Sequence, residues 1–315
     1  MHLILPERNL AFLRWTMFQE FPIRYVEPVF RPPSEAESLI LPLTDGCSWN
    51  GCSFCEMYTA PQKRFRARDE AEVLASIRSS GERFGARVRR VFLADGDAMV
   101  LPTRRLLGAI AAIREHLPGV HRISSYCLPR NLRKKSASEL RELGDAGLTL
   151  AYLGVESGDD EVLAKVNKGE SYASHLDALG KLAEAGISRS VMILNGLGGV
   201  RYSVQHAENS ARLANATQPE YLSTLVLNFA KGEQRFRADF PEWQPLPLTG
   251  LFAEMALLLG GLELRKTVFR SDHASNRLVL KGILGADKQR LLERVRQALA
   301  QPAAAGLRPA LGRAL

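Results

Sequence analysis

The sequence predicts an α/β protein: a partial, open (β/α)6 barrel with N- and C-terminal extensions. Between Leu39 and Leu262 short β-type runs alternate with longer segments whose apolar residues recur at helical spacing, the pattern of a parallel sheet with covering helices. The alternation gives six units, too few for a complete eight-unit barrel of about 250 residues. An open, TIM-like part of a barrel is the arrangement that remains.

The six strands are expected at Leu39–Leu43, Arg90–Ala94, Arg122–Cys127, Leu150–Val155, Ser190–Leu194 and Tyr221–Leu227. Helical spacing marks Glu70–Phe84, Leu106–His116, Ser136–Ala146, Tyr172–Ala185 and Ser203–Asn215 between them. Gly147 and Gly186 each follow an alanine just before the next strand, where helices end on glycine. Three regions follow: an N-terminal extension over 1–36, the barrel over 37–263 and a C-terminal extension and tail over 264–315. The last reads as an extended stretch through Phe269–Asn276, an apolar run Leu278–Leu284, an amphipathic helix Ala286–Ala300, and a frayed tail rich in Ala, Pro and Gly.

At 315 residues, 46% hydrophobic and 24% charged, the chain can bury a substantial core. No stretch reaches the about 18 to 20 uncharged apolar residues of a membrane span, and the start lacks the order of a signal peptide. The expectation is a cytoplasmic protein without a membrane partner. A formal charge of +8 leaves nucleic acid open as a partner, although the basic residues are spread along the chain. Their densest stretch is Lys63-Arg64-Phe65-Arg66-Ala67-Arg68.

Three of the four cysteines, Cys47, Cys52 and Cys55, fall within nine residues directly after the first strand. That is a poor disulfide framework and a good metal loop, at the strand end where barrels place their chemistry. Thiolates are soft ligands for an iron–sulfur cluster or zinc. A structural zinc site wants four ligands, commonly in two close pairs, and only Cys52 and Cys55 make such a pair. Cys127, in the third strand, reads as a buried small residue.

The loop Cys47-Ser48-Trp49-Asn50-Gly51-Cys52-Ser53-Phe54-Cys55 resembles that of the radical S-adenosylmethionine (radical SAM) superfamily, with Phe54 at the aromatic position before the last cysteine. The superfamily's usual gaps are three residues and then two, where this chain has four and two. The resemblance implies a [4Fe-4S] cluster on Cys47, Cys52 and Cys55, with the fourth iron left open to chelate the amino and carboxylate groups of SAM. It implies reductive cleavage of SAM to methionine and a 5′-deoxyadenosyl radical that abstracts hydrogen from an unidentified substrate. An electron donor such as flavodoxin or ferredoxin is implied with it.

Further matches follow in order. Ala94-Asp95-Gly96-Asp97 stands where the family carries a Gly-Gly-Glu-like turn whose backbone contacts the SAM amino group, which implies such a contact from Gly96 and Asp97. Ser124 and Tyr126 share one face of the third strand, where relatives place a polar SAM contact, and the sequence does not say which face meets the lumen. Glu156 and Lys168 lie twelve positions apart in a segment resembling coproporphyrinogen-type and methylthiotransferase-type members, where such residues grip SAM and its carboxylate. Asn195-Gly196 resembles the turn that flanks the adenine. The stretch Phe269–Asn276 with Lys281-Gly282-Ile283-Leu284 and Asp287 resembles a subgroup of the superfamily without an assigned substrate. Asp272, His273 and Asn276 face a substrate or form a hydrogen-bonded turn. With no cysteine beyond Cys127, a second all-cysteine cluster is not expected. A radical SAM enzyme that modifies RNA bases, and a non-enzymatic zinc-bearing binding protein, stay open beside the main reading.

Overall fold

The computed structural model describes residues 21–309; the first and last stretches of the chain lie outside the described residues. The strands are β1 (Leu39–Pro42), β2 (Thr44–Asp45), β3 (Arg66–Ala67), β4 (Arg90–Ala94), β5 (Arg122–Tyr126) and β6 (Leu148–Glu156), then β7 (Ser188–Asn195), β8 (Tyr221–Val226), β9 (Val268–Ser271) and β10 (Leu280–Ile283). The helices are α1 (Glu70–Phe84), α2 (Thr103–His116), α3 (Pro129–Arg133), α4 (Ala137–Ala146) and α5 (Asp160–Lys165), followed by α6 (Tyr172–Glu184), α7 (Gly199–Thr217), α8 (Gln234–Asp239), α9 (Leu248–Gly261) and α10 (Lys288–Ala300).

The main sheet has eight strands in the order β1-β4-β5-β6-β7-β8-β9-β10 and is not closed. Neighbours from β1 to β9 pair in parallel, and β10 returns antiparallel to β9. The fold is therefore the partial α/β barrel expected from the sequence, with two strands added from the C-terminal segment. Parallel neighbours need crossovers, and α1, α2, α4, α6 and α7 supply them on one face of the sheet.

Strand alternation sorts the residues into two layers. Val91, Leu93, Ile123, Leu153, Val191 and Ile193 face the helices in the large outer core. Phe92, Leu150 and Tyr152 point the other way, into the concave face, with Tyr126 packed against them. Tyr126 meets Phe92 edge-on at 5.0 Å. The N-terminal ends of the strands are closed by Glu35, fully buried, which accepts hydrogen bonds from Tyr152 at 2.5 Å and Arg122 at 2.8 Å. The opposite, C-terminal ends carry the cysteine loop.

Several boundaries shift. Of the stretch expected to be extended over Phe269–Asn276, the end turns, and the described part of the tail, as far as residue 309, is packed rather than frayed: Ala305 is buried, and Arg308 donates to the Asp272 carbonyl at 2.9 Å; the rest of the tail lies outside the described residues. Apolar Ala305 and Leu307 give the tail a core contact that its Ala-Pro-Gly composition hides. Among the described residues no helix is long and apolar enough to cross a membrane.

Candidate active site

β1 and β2 lead straight into the cysteine loop, and three separate parts of the barrel hold that loop. On one side, the Ser48 amide donates to Asp97 Oδ1 at 3.1 Å and the Ser48 hydroxyl bonds the other carboxylate oxygen. Gly96 allows this approach: a Cβ there would stand 2.7 Å from the Gly46 carbonyl and 2.9 Å from the Cys47 Cβ. On a second side, the Trp49 indole donates to the Asn167 carbonyl, Asn167 donates back to the Gly51 carbonyl, and the Ser53 amide bonds Val166. Arg130 stacks on Trp49 at 3.9 Å and pairs with Glu170 at 2.8 Å. On the third side, Arg235 donates to the carbonyls of Cys55 and Asn50.

The three thiols are partly exposed and lie within electrostatic reach of one another. Burial raises all three thiol pKa values, assisted at Cys47 by Asp97; Lys168 opposes the rise at Cys52 and Cys55. Among the described residues no set of three or more His, Cys, Asp or Glu side chains is arranged to hold a single metal ion.

Beside the loop lies a buried ion pair. Lys168 Nζ stands 3.1 Å from Glu156 Oε1, with side-chain exposures of 5% and 6%, so water screens the pair little. Burial pulls the Lys168 ammonium down, but Glu156 and then Cys52 more than offset this, and its pKa is raised. The same ammonium lies 5.7 Å from the Phe54 ring. The local backbone is built for this pair. Glu156 adopts φ 64° at the end of β6, a left-handed conformation costing about 1 kcal/mol for an L-residue. Gly154 makes room, since a Cβ there would lie 2.1 Å from Glu156 Oε1. The second carboxylate oxygen of Glu156 is buried without a hydrogen-bond partner.

The structure thus brings Cys47, Cys52, Cys55, Phe54, Tyr126, Glu156 and Lys168 to one mouth of the barrel; Tyr126 lies within electrostatic reach of both Cys55 and Glu156. Ser124 shares the concave face, deeper in, and its buried hydroxyl is unpaired. Gly96 and Asp97 sit beneath the loop, where Asp97 anchors Ser48. Asn195 lies apart: it shares the outward face of β7 with Val191 and Ile193, and its unpaired Oδ1 is buried at a cavity of about 90 Å³ shared with Val226, Leu248 and Phe252. Asp272, His273 and Asn276 form a hydrogen-bonded turn: Asn276 donates to the Thr224 carbonyl at 2.7 Å, and Ser275 accepts from the Val226 amide. Sequence reasoning missed Arg130, Asn167 and Arg235, whose only signal is contact across 39 to 185 residues of chain.

Cys127 is buried in the outer core with Ile123, on the face of β5 opposite Tyr126. Cys127→Ser should therefore leave the iron content of reconstituted protein unchanged, read by colorimetric iron assay. Loss of iron in that variant would mean a four-cysteine site.

The geometry is that of an open α/β barrel with a cysteine loop at its C-terminal mouth and a buried acid–base pair beside it. The family model described as Radical SAM superfamily matches residues 41–214, more than half of the sequence, and the chain belongs to that superfamily of enzymes. It is 30% identical over 152 residues to a bacteriochlorophyllide d C-12(1)-methyltransferase of Chlorobaculum tepidum, a match covering 47% of this chain and 31% of that protein. Its fold is similar to coproporphyrinogen III oxidase of Escherichia coli, described as a radical SAM enzyme (TM-score 0.52, 16% identity, 80% of this chain and 60% of that one). It is also similar to methylornithine synthase (TM-score 0.50, 17% identity, 72% and 63%). The chain spans under a third of the methyltransferase and under two thirds of either solved structure.

Proposed function

We propose that Cys47, Cys52 and Cys55 hold a [4Fe-4S] cluster and that Glu156, Lys168 and Tyr126 line the place of SAM beside it. The observation that carries this reading is the buried Glu156–Lys168 pair, which faces the thiols and keeps one carboxylate oxygen unspent. An unpaired buried carboxylate oxygen costs free energy unless a donor meets it, and the amino group of SAM is such a donor. The ammonium of Lys168 complements the carboxylate of the same ligand.

Held by Cys47, Cys52 and Cys55, such a cluster would supply the electron for reductive cleavage of SAM to methionine, the radical chemistry through which hydrogen would be taken from a substrate. The chain's own residues bind and shield. Lys168 and Glu156 orient the amino-acid end, while Phe54, packed with Leu194 and Val166, keeps water from the inner side of the loop. Asp97, Asn167 and Arg235 hold the loop in register with the barrel. The reducing electron comes from a partner such as flavodoxin or ferredoxin, and the substrate is a separate molecule.

Anaerobic reconstitution with iron and sulfide should give about four irons per chain. Dithionite and SAM should then yield methionine and 5′-deoxyadenosine in equal amounts by liquid chromatography. A protein that retains zinc and forms neither product would overturn the reading in favour of a binding protein.

A further inference from the structure

We propose that Glu254 is a positioning residue for the SAM site, acting through the turns that follow β6 and β7; the inference rests on the reading of that site given above. Glu254 is 2% exposed, on the face of α9 that also buries Phe252, Met255, Leu258 and Leu259. No Lys or Arg among the described residues pairs with it. A carboxylate in such surroundings is costly unless its oxygens are spent on hydrogen bonds.

Both oxygens are spent at the mouth of the barrel. Oε1 accepts the Gly196 amide at 2.6 Å, and Oε2 accepts the Ser203 hydroxyl at 2.7 Å. His206, 1% exposed, sets Nε2 3.9 Å from Oε1 and Nδ1 2.8 Å from the Ser157 hydroxyl. Ser157 directly follows Glu156, and its hydroxyl accepts the Asp159 amide at 3.0 Å. The carboxylate thus bonds the turn at Gly196 directly, while its reach to the turn at Glu156-Ser157 passes through the His206 ring, which hydrogen-bonds Ser157 and packs against Oε1 at a contact longer than a hydrogen bond. The Gly196 carbonyl is held from another direction by the Trp243 indole at 3.2 Å.

Four buried polar side chains, Glu254, Ser203, His206 and Ser157, thus link α9 and α7 to two adjacent strand ends. An apolar residue at position 254 would satisfy the packing of α9 equally well. What it would not do is aim the Gly196 amide or hold the backbone that carries Glu156. The carboxylate preorganises the cofactor side of the barrel without touching the cofactor.

The test is SAM titration by calorimetry into reconstituted protein, with iron content and melting temperature read on every sample. Glu254→Ala should weaken SAM binding about ten-fold while keeping its iron. Glu254→Gln, whose amide oxygen can still accept the Gly196 N–H, should restore affinity to within about three-fold. Leu259→Ala, buried on the same helix, should lower the melting temperature and leave affinity alone. Ser157→Ala, a small excision that keeps the fold, should weaken binding about three-fold and decides the matter if Glu254→Ala does not fold. Wild-type affinity in both Glu254→Ala and Ser157→Ala, or equal losses in Glu254→Ala and Leu259→Ala, would overturn the proposal. Wild-type protein that takes up iron but no SAM would instead overturn the reading of the site, and this inference with it.

Discussion

Replacing Cys52 with alanine should abolish both iron retention and 5′-deoxyadenosine formation while leaving the fold intact. The separation of the two effects follows from how the loop is held. Its anchors are Ser48 on Asp97, Trp49 on Asn167, the Ser53 amide on Val166 and Arg235 on the Cys55 carbonyl, and none of these uses a cysteine side chain. Cys52 is only partly buried and belongs to none of the hydrophobic clusters, so its removal leaves no core cavity. The melting temperature of the iron-free variant should match that of iron-free wild type. With three thiolates per cluster, loss of one leaves two irons without protein ligands, and the assembly should not survive desalting. A Cys52→Ala protein that keeps about four irons and still cleaves SAM would remove the cysteine loop from the account.

The second large effect is expected at Lys168. Lys168→Ala removes the positive partner of the SAM carboxylate and strands Glu156 in the same step. Loss of a charge-assisted bond in a partly desolvated site costs about 1.5 to 3 kcal/mol, which predicts a SAM affinity lower by about ten- to hundred-fold. Stability should fall as well, by about 3 to 5 kcal/mol, because a buried carboxylate has lost its counter-charge. The double variant Glu156→Gln/Lys168→Met separates the two consequences. It removes both charges at similar volume, so denaturant midpoints should recover toward wild type while SAM affinity stays low. Iron content should be normal throughout, since neither residue is a cluster ligand in this account. Wild-type affinity in the double variant would reduce the pair to barrel structure.

The parallel strands were legible as short β-type runs set between longer segments of helical spacing, although β5 (Arg-Ile-Ser-Ser-Tyr) and β8, with Tyr221 exposed, are not apolar throughout, and all six fall close to their expected places. The two added strands were less so. β9 and β10 are four residues each, and the second carries exposed Lys281 and Ile283, which blurs the pattern a buried strand would show. The cysteines and the Glu156–Lys168 spacing were legible because local sequence sets them. Which way Ser124, Tyr126 and Asn195 face was not, since a strand's period of two gives two faces and no label for the concave one. The packing of Tyr126 on Phe92 supplies that label, and the alternation carries it to Asn195 on the outer face. The side-chain role of Asp97 was likewise hidden: both of its carboxylate oxygens engage Ser48, 49 residues away in the chain.

The central claim, that SAM binds against a cluster held by Cys47, Cys52 and Cys55, is tested most directly by electron paramagnetic resonance of dithionite-reduced, reconstituted protein with and without SAM. The account predicts a reduced-cluster signal whose g values shift when SAM is added, and that need about ten- to hundred-fold more SAM to shift in Lys168→Ala. A cluster signal that saturating SAM leaves unchanged in the wild-type protein would contradict it.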